Sequence, residues 1–184
     1  MVKILLGLPT NRLIKPKTVQ SLLNVVYNTN EEVIPLVSTR GYNTAENRNY
    51  IATQAVKYGC THWMMVDDDM IYEPDTINKL LGCGVDIVGG LYKTKYENKE
   101  YVLESDEFNN YEMFKAKAIG GGLLLVRTDV FKNIPQPWFG YKWYKNGMVS
   151  MSNDWYFCEK AIKNNFKVWC QPNVKAKHIG LKEY

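Results

Sequence analysis

The chain has 184 residues, with 23 Lys and Arg against 19 Asp and Glu and a formal charge of +4. That length suits about one domain with a single sizeable core and argues against two independent ones, and so modest a positive charge favours anionic small ligands over a nucleic-acid groove. No apolar stretch approaches the roughly 20 residues needed to span a bilayer, so the expectation is a soluble, cytoplasmic protein with no transmembrane segment.

Val2-Lys3-Ile4-Leu5-Leu6-Gly7-Leu8 is an apolar run broken by Gly7 and Pro9, and it reads as a first strand rather than a signal peptide. A helix is predicted near 17–28, a strand near 33–37 and a second helix near 44–58. In that helix Ala52, Ala55 and Val56 form an inward stripe, which Arg48 extends toward the helix start. An Arg there needs an anion, either a carboxylate such as Glu46 or Asp75, or a phosphate drawn to the helix start with a ribose beside it.

A strand near 61–66 runs into Asp67-Asp68-Asp69. Three adjacent acids repel one another, so something positive belongs between them. In open α/β sheets ligands bind outside the carboxyl ends of strands, and hard oxygen ligands suit magnesium or manganese. The competing reading is a solvated loop that caps a helix near 74–82, although Glu73 or Asp75 is better placed for a cap. An apolar strand ending in Asp-x-Asp also resembles the nucleophile motif of haloacid-dehalogenase-like phosphatases. That motif wants Thr or Val where Ile71 stands and lies on a first strand, whereas here an earlier strand precedes it.

A strand near 85–91 completes a βαβα alternation that indicates a parallel sheet. Tyr111 to Ile119 then alternates as an antiparallel strand would. A further strand near 122–126 and a helix near 127–133 follow, so the sheet is expected to be mixed. Gly120, Gly121 and Gly122 allow close approach of the backbone to a ligand, or form a bulge. Residues 135–150 read as a long surface loop, whose Trp138, Tyr141, Trp143 and Tyr144 suit either stacking on a ligand or core packing.

In the helix predicted near 154–165, Cys158, Ala161 and Ile162 form the apolar stripe and Asp154 sits on the same face at the positive end. Ser152, Asn153 and Asp154 are all good caps, which leaves Asp154 open to a general-base role. A last strand is expected near 167–170. Cys60, Cys83, Cys158 and Cys170 lack Cys-x-x-Cys spacing and read as reduced core residues. The lysines are scattered apart from Lys93, Lys95 and Lys99 and the pair Lys115 and Lys117.

Several of these segments, taken in order, resemble small nucleotide-sugar glycosyltransferases of the GT-A fold, family 2-like, over nearly the whole chain. They are Leu8-Pro9-Thr10, Arg48-Asn49, Asp67-Asp68-Asp69 with Met70 and Pro74, Gly120 to Arg127, Asn153 to Cys158, and His178-Ile179-Gly180. The resemblance implies one α/β, Rossmann-like domain over 1–184 with a mixed, mainly parallel sheet, its nucleotide-binding half at 1–95 and its acceptor half at 96–184. Asp67 and Asp69 match the Asp-x-Asp motif that binds the metal, Mn2+ or Mg2+, and the ribose and phosphates. Pro9, Thr10, Arg48 and Asp68 fall on the nucleotide side, and His178 matches the histidine that completes the metal site. Asp154 matches the base of inverting members. Gly121, Gly122, Trp138, Trp143 and Asn153 belong to the donor and acceptor pocket, with Asn153 standing where the family usually has Glu.

The implied activity is metal-dependent, inverting transfer from a nucleoside diphosphate sugar, UDP favoured, to a saccharide or glycan hydroxyl. The partners are donor and acceptor and no nucleic acid, with a second copy or partner domain to help acceptor recognition. Two alternatives remain. A non-catalytic glycan-binding module would keep the fold without turnover. A sugar-1-phosphate nucleotidylyltransferase would carry a Gly-rich loop after the first strand, which Leu8-Pro9-Thr10-Asn11-Arg12 does not supply.

Overall fold

Residues 4 to 8 are buried and almost without polar side chains, the pattern of a strand covered on both faces. In the computed structural model, which describes residues 1–95 and 100–180, they lie in β1 (Lys3–Pro9), followed by α1 (Pro16–Asn28), β2 (Glu32–Ser38), α2 (Thr44–Lys57) and β3 (His62–Val66). Next come β4 (Met70–Tyr72), α3 (Thr76–Gly82), β5 (Ile87–Leu91), β6 (Leu103–Glu104), β7 (Phe114–Ala116) and β8 (Ala118–Ile119). The chain continues through β9 (Leu123–Arg127), α4 (Thr128–Asn133), β10 (Lys142–Trp143), β11 (Val149–Met151), α5 (Asn153–Lys163) and β12 (Val168–His178). Lys99 lies outside the described residues.

The central sheet has the order β2-β1-β3-β9-β5-β12-β4, with β7 also on β12. β1, β2, β3, β5 and β12 share one direction, and β9, β4 and β7 run against them. The sheet is therefore mixed and mostly parallel, with helices on both faces. β9 inserts between β3 and β5, so residues from both halves of the chain share this sheet. Side chains alternate between two cores, as the period of a strand requires. Leu5 and Met65 pack with Ile51, Phe131 and Phe157 under α2, α4 and α5, while Ile4, Leu6 and Met64 pack with Val25, Ile77 and Leu80 under α1 and α3.

Local chemistry explains the helix starts. Pro16 opens α1, where its missing N–H loses nothing. Asn43 caps α2: its Oδ1 accepts the Glu46 N–H at 3.0 Å, and Glu46 Oε2 reaches back to accept the Tyr42 N–H at 2.8 Å.

Three sequence expectations change. Tyr111 to Ile119 is not one strand, because β7 pairs with β12 while β8 pairs with β6. The last strand runs to His178 instead of ending at 170. Pro172 sits inside it, and the register against β5 shifts between Gln171 and Lys175. Residues 135–150 are not all surface loop. Asn49 Oδ1 accepts the N–H groups of Trp138 and Phe139 and draws both rings inward, and β10 and β11 form a ribbon. Cys60, Cys158 and Cys170 are free and buried, and burial pushes the Cys158 and Cys170 thiols up to about 12. Among the described residues no helix is long and apolar enough to cross a membrane.

Gly7 shows how tightly α2 seats on the sheet. A Cβ at this position would fall on Ile51 Cγ2 and Trp63 Nε1. Gly7→Ala should lower stability by about 1–3 kcal/mol, the usual range for overpacking, read as a reduced urea midpoint at unchanged slope. A midpoint equal to that of wild type would show that the α2 contact yields without strain.

Candidate active site

The central strands end in an open cleft of about 510 Å³. Its walls are the loop after β1, the start of α2, the acid triplet between β3 and β4, Lys95 after β5, the start of α5 and His178 at the end of β12. Pro9, Thr10, Arg48, Asp67, Asp68, Asp69, Asn153, Asp154 and His178, all singled out in the sequence, converge on it.

At its centre lies Arg48, only 3% exposed. Its Nη2 donates to Asp67 Oδ1 at 3.0 Å, and its Nη1 donates to Asn153 Oδ1 at 2.5 Å and lies 3.7 Å from Asp154 Oδ2. The anion it needs is thus supplied by Asp67 and Asp154, not by Glu46 or Asp75. Gly121 makes room for it, since a Cβ there would lie 2.7 Å from the guanidinium carbon. A Cβ on Gly122 would likewise stand 2.7 Å from Asp67 Oδ2, and one on Gly120 would strike the Tyr92 hydroxyl. The close approach expected of these glycines is therefore taken up by the protein's own side chains.

Asp154 occupies the first turn of α5. Burial raises its pKa, but the Arg48 charge, the Ser152 hydroxyl and the N–H groups of Gly121 and Trp155 outweigh this and bring it below the ordinary carboxylate value. Ser152 holds the N-cap position, and its hydroxyl donates to Asp154 Oδ1 at 2.5 Å. Gly121 N–H donates to Oδ2 at 2.9 Å. Asp67 shifts the other way. Burial raises it, as do the neighbouring Asp154 and Asp69 charges, against the pull of Arg48.

Asp68 and Asp69 are held by cations that the sequence reading did not single out as partners. Asp68 accepts from Thr10 Oγ1 at 2.5 Å and from Arg12 Nη2 at 2.7 Å. Asp69 Oδ2 accepts from Arg12 Nη2 and Lys95 Nζ, both at 2.9 Å. Burial raises Asp69, but Lys95, followed by His178 and Arg12, more than offsets it and the net shift is downward. The carboxylates in turn raise the pKa of Arg12, the Asp68 hydrogen bond first among the causes. Lys93 does not join this group, since its ammonium lies over the Tyr101 ring. Lys115 lies over Trp169, and Lys117 pairs with Asp106.

His178 reaches the acids because β12 pairs with β4, setting His178 opposite Met70 and the Ile179 N–H on the Asp69 carbonyl at 2.8 Å. Its Nδ1 lies 2.6 Å from the Lys93 carbonyl, an acceptor only, so that nitrogen carries the proton. Nε2 faces Asp69 Oδ1 at 3.8 Å. Asp67 takes no part in this pairing, and among the described residues no three His, Cys, Asp or Glu side chains form a metal cluster.

Two expected pocket residues lie elsewhere. Trp138 is buried, its ring 5.4 Å from Phe131 and its Nε1 donating to the Ile134 carbonyl, so it belongs to the core. Trp143 is exposed on the β10–β11 ribbon beside Tyr141. Conversely, sequence reasoning missed Asn47 and Tyr72. Asn47 Oδ1 accepts from Ser38 Oγ and the Gly41 N–H, tying the loop after β2 to α2. The Tyr72 hydroxyl accepts the Asp67 N–H at 2.9 Å and donates to the Gly122 carbonyl at 2.8 Å. Burial, then the Asp67 charge, raises its pKa well above the usual value and keeps that donor protonated. A strand of three residues after an acid triplet leaves no periodic signal by which Tyr72 could have been found.

No protein-family model matches the chain, and no curated protein sequence does. Solved structures do match. A197 from STIV aligns with 96% of this chain and 85% of its own, at a TM-score of 0.67 and 15% identity. GalNAc-T7, solved with UDP, GalNAc and Mn2+, aligns with 96% of this chain at a TM-score of 0.67 and 9% identity, and this chain spans 44% of it. A Desulfovibrio desulfuricans G20 protein described as a nucleotide-diphospho-sugar transferase aligns with 97% of this chain and 83% of its own, at 0.56 and 12%. At such identities the likeness shows the fold alone, and that fold is of the GT-A type.

Proposed function

We propose that the protein is an inverting glycosyltransferase, moving a sugar from a nucleoside diphosphate donor, UDP favoured, to a hydroxyl of a saccharide or glycan. One observation carries the reading. Asp154 is a carboxylate held ionised at the start of α5, in the same cleft as the acid triplet and linked to Asp67 through a single guanidinium. Its low pKa makes it a weak base toward a free hydroxyl. It becomes competent as that oxygen bonds to the anomeric carbon and the proton grows acidic, so proton transfer to Asp154 comes late. Asn153 stands beside it, held between Arg48 and the Tyr141 hydroxyl, which suits a role in positioning the acceptor end of the cleft.

A divalent cation would be held at the end of the cleft nearest His178. Asp69 Oδ1 and His178 Nε2 face each other across 3.8 Å, a carboxylate and an imidazole whose donor chemistry suits manganese. The ring is oriented by its bond to a backbone carbonyl, as metal-binding histidines commonly are. Asp69 and His178 would hold the ion, while Asp67, committed to Arg48, would not. Bound there, it would neutralise charge on the departing diphosphate. The GalNAc-T7 structure with Mn2+ supports manganese as an ion to test.

Thermal melting with a panel of nucleoside diphosphates, each with and without manganese, tests the donor site. A ligand at about 100 times its Kd stabilises by about 2.7 kcal/mol, or roughly 5–10 °C for a chain of this size. No shift with any of them would remove the nucleotide reading. Asp154→Asn should lower kcat for sugar transfer by about 10²- to 10⁴-fold while donor binding stays within about twofold in the same melting assay. Asp69→Asn should weaken both. Transfer near the wild-type rate in the Asp154 variant would overturn the base assignment.

The Ser152 hydroxyl donates to Asp154 and favours its ionised form over the neutral one. Ser152→Ala should therefore raise the Asp154 pKa and move the acidic limb of the kcat/KM profile to higher pH, with the plateau above neutrality unchanged. The same sign governs folding. A depressed carboxylate adds stability that is present above its unfolded pKa of about 3.9 and lost as pH falls through the lower folded value. An acidic limb that stays in place in the variant would separate that limb from Asp154.

A further inference from the structure

Asp69 is 4% exposed, yet the two cations on its Oδ2 are not buried: the side chain of Arg12 is 58% exposed and that of Lys95 37%. They arrive from different loops, one after β1 and the other after β5, and both line the cleft. Arg12 and Lys95 together balance the charges of Asp68 and Asp69, so in this structure the end of the cleft nearest His178 is close to neutral. A divalent cation joining Asp69 and His178 would add two positive charges against two cations already there. A diphosphate arriving without that ion would meet two buried carboxylates. Each ligand is disfavoured by itself, and together they restore the balance.

Resting on the donor reading above, we propose that Arg12 and Lys95 are diphosphate-binding residues that exchange Asp69 for phosphate oxygens when the metal takes Asp69. Both side chains suit the exchange. Each is long and tethered to an exposed loop, so its head group can turn from a carboxylate to a neighbouring anion without disturbing the sheet. Arg12 presents a planar fork that matches phosphate geometry, and Lys95 presents a mobile point charge. The coupling is reciprocal, since whatever the diphosphate gains from the metal the metal gains from the diphosphate.

Lys95→Met tests the exchange with effects of opposite sign, which a merely structural ion pair would not produce. Calorimetric titration of the variant with manganese chloride alone should show binding at least about twofold tighter than wild type, because a competitor for Asp69 is gone. Titration with UDP or GDP at saturating manganese should show binding about tenfold weaker, because a charged phosphate contact is gone. Lys95→Arg, which keeps the charge, should restore diphosphate affinity to within about threefold of wild type. Unchanged diphosphate affinity in Lys95→Met, or manganese affinity that falls along with it, would overturn the proposal while leaving the donor site in place. Failure of wild type to bind either diphosphate under any condition would instead remove the nucleotide reading on which it rests.

Discussion

The site is organised around a buried guanidinium. A charge as buried as that of Arg48 is tolerated only where opposite charge and hydrogen-bond acceptors surround it, and the partners it finds come from the end of β3 and the first turn of α5. Three elements distant in sequence are therefore placed relative to one another by one side chain. The glycine run before β9 is the complement of that arrangement, because its missing Cβ atoms leave the volume that Arg48, Tyr92 and Asp67 fill. The same geometry holds Asp154 ionised, so the constraint that assembles the cleft also sets the protonation state of its candidate base.

The acid triplet obeys a second constraint. Adjacent carboxylates must be separated or neutralised, and here each receives its own treatment. Asp67 turns to Arg48, Asp68 to Thr10 and Arg12, and Asp69 to Arg12 and Lys95 with His178 nearby. The backbone makes this division possible by turning sharply between β3 and β4, with the Tyr72 hydroxyl joining the Asp67 N–H to the Gly122 carbonyl. Three acids that look equivalent in sequence thus end in different environments, one shifted upward and one downward in pKa.

Much of the fold was legible from periodicity. The apolar runs of β1, β3 and β5 and the helical stripes of α1 and α2 are long, regular signals, and the structure places them within a few residues of expectation. Short elements were not legible, because β4, β6 and β10 have too few residues to show a period. Trp138 misled for a related reason. Its neighbours Pro135, Gln136 and Pro137 have the composition of a surface loop, and only the side chain of Asn49 shows that the segment turns inward.

What the sequence determined by itself was the inventory and its order: a strand delivering carboxylates to a sheet edge, an Arg on an apolar helix face, a glycine run, and an acid opening a late helix. These are local properties, carried by residue type and spacing. Tertiary structure alone decided which charge meets which. Arg48 finds Asp154, 106 positions further along the chain, only because both pack against Gly121 just before β9, and His178 finds Asp69 only because β12 outlasts its proline and pairs with β4. Electrostatic pairing depends on distance in space, and distance in space follows from sheet order, which no local pattern encodes.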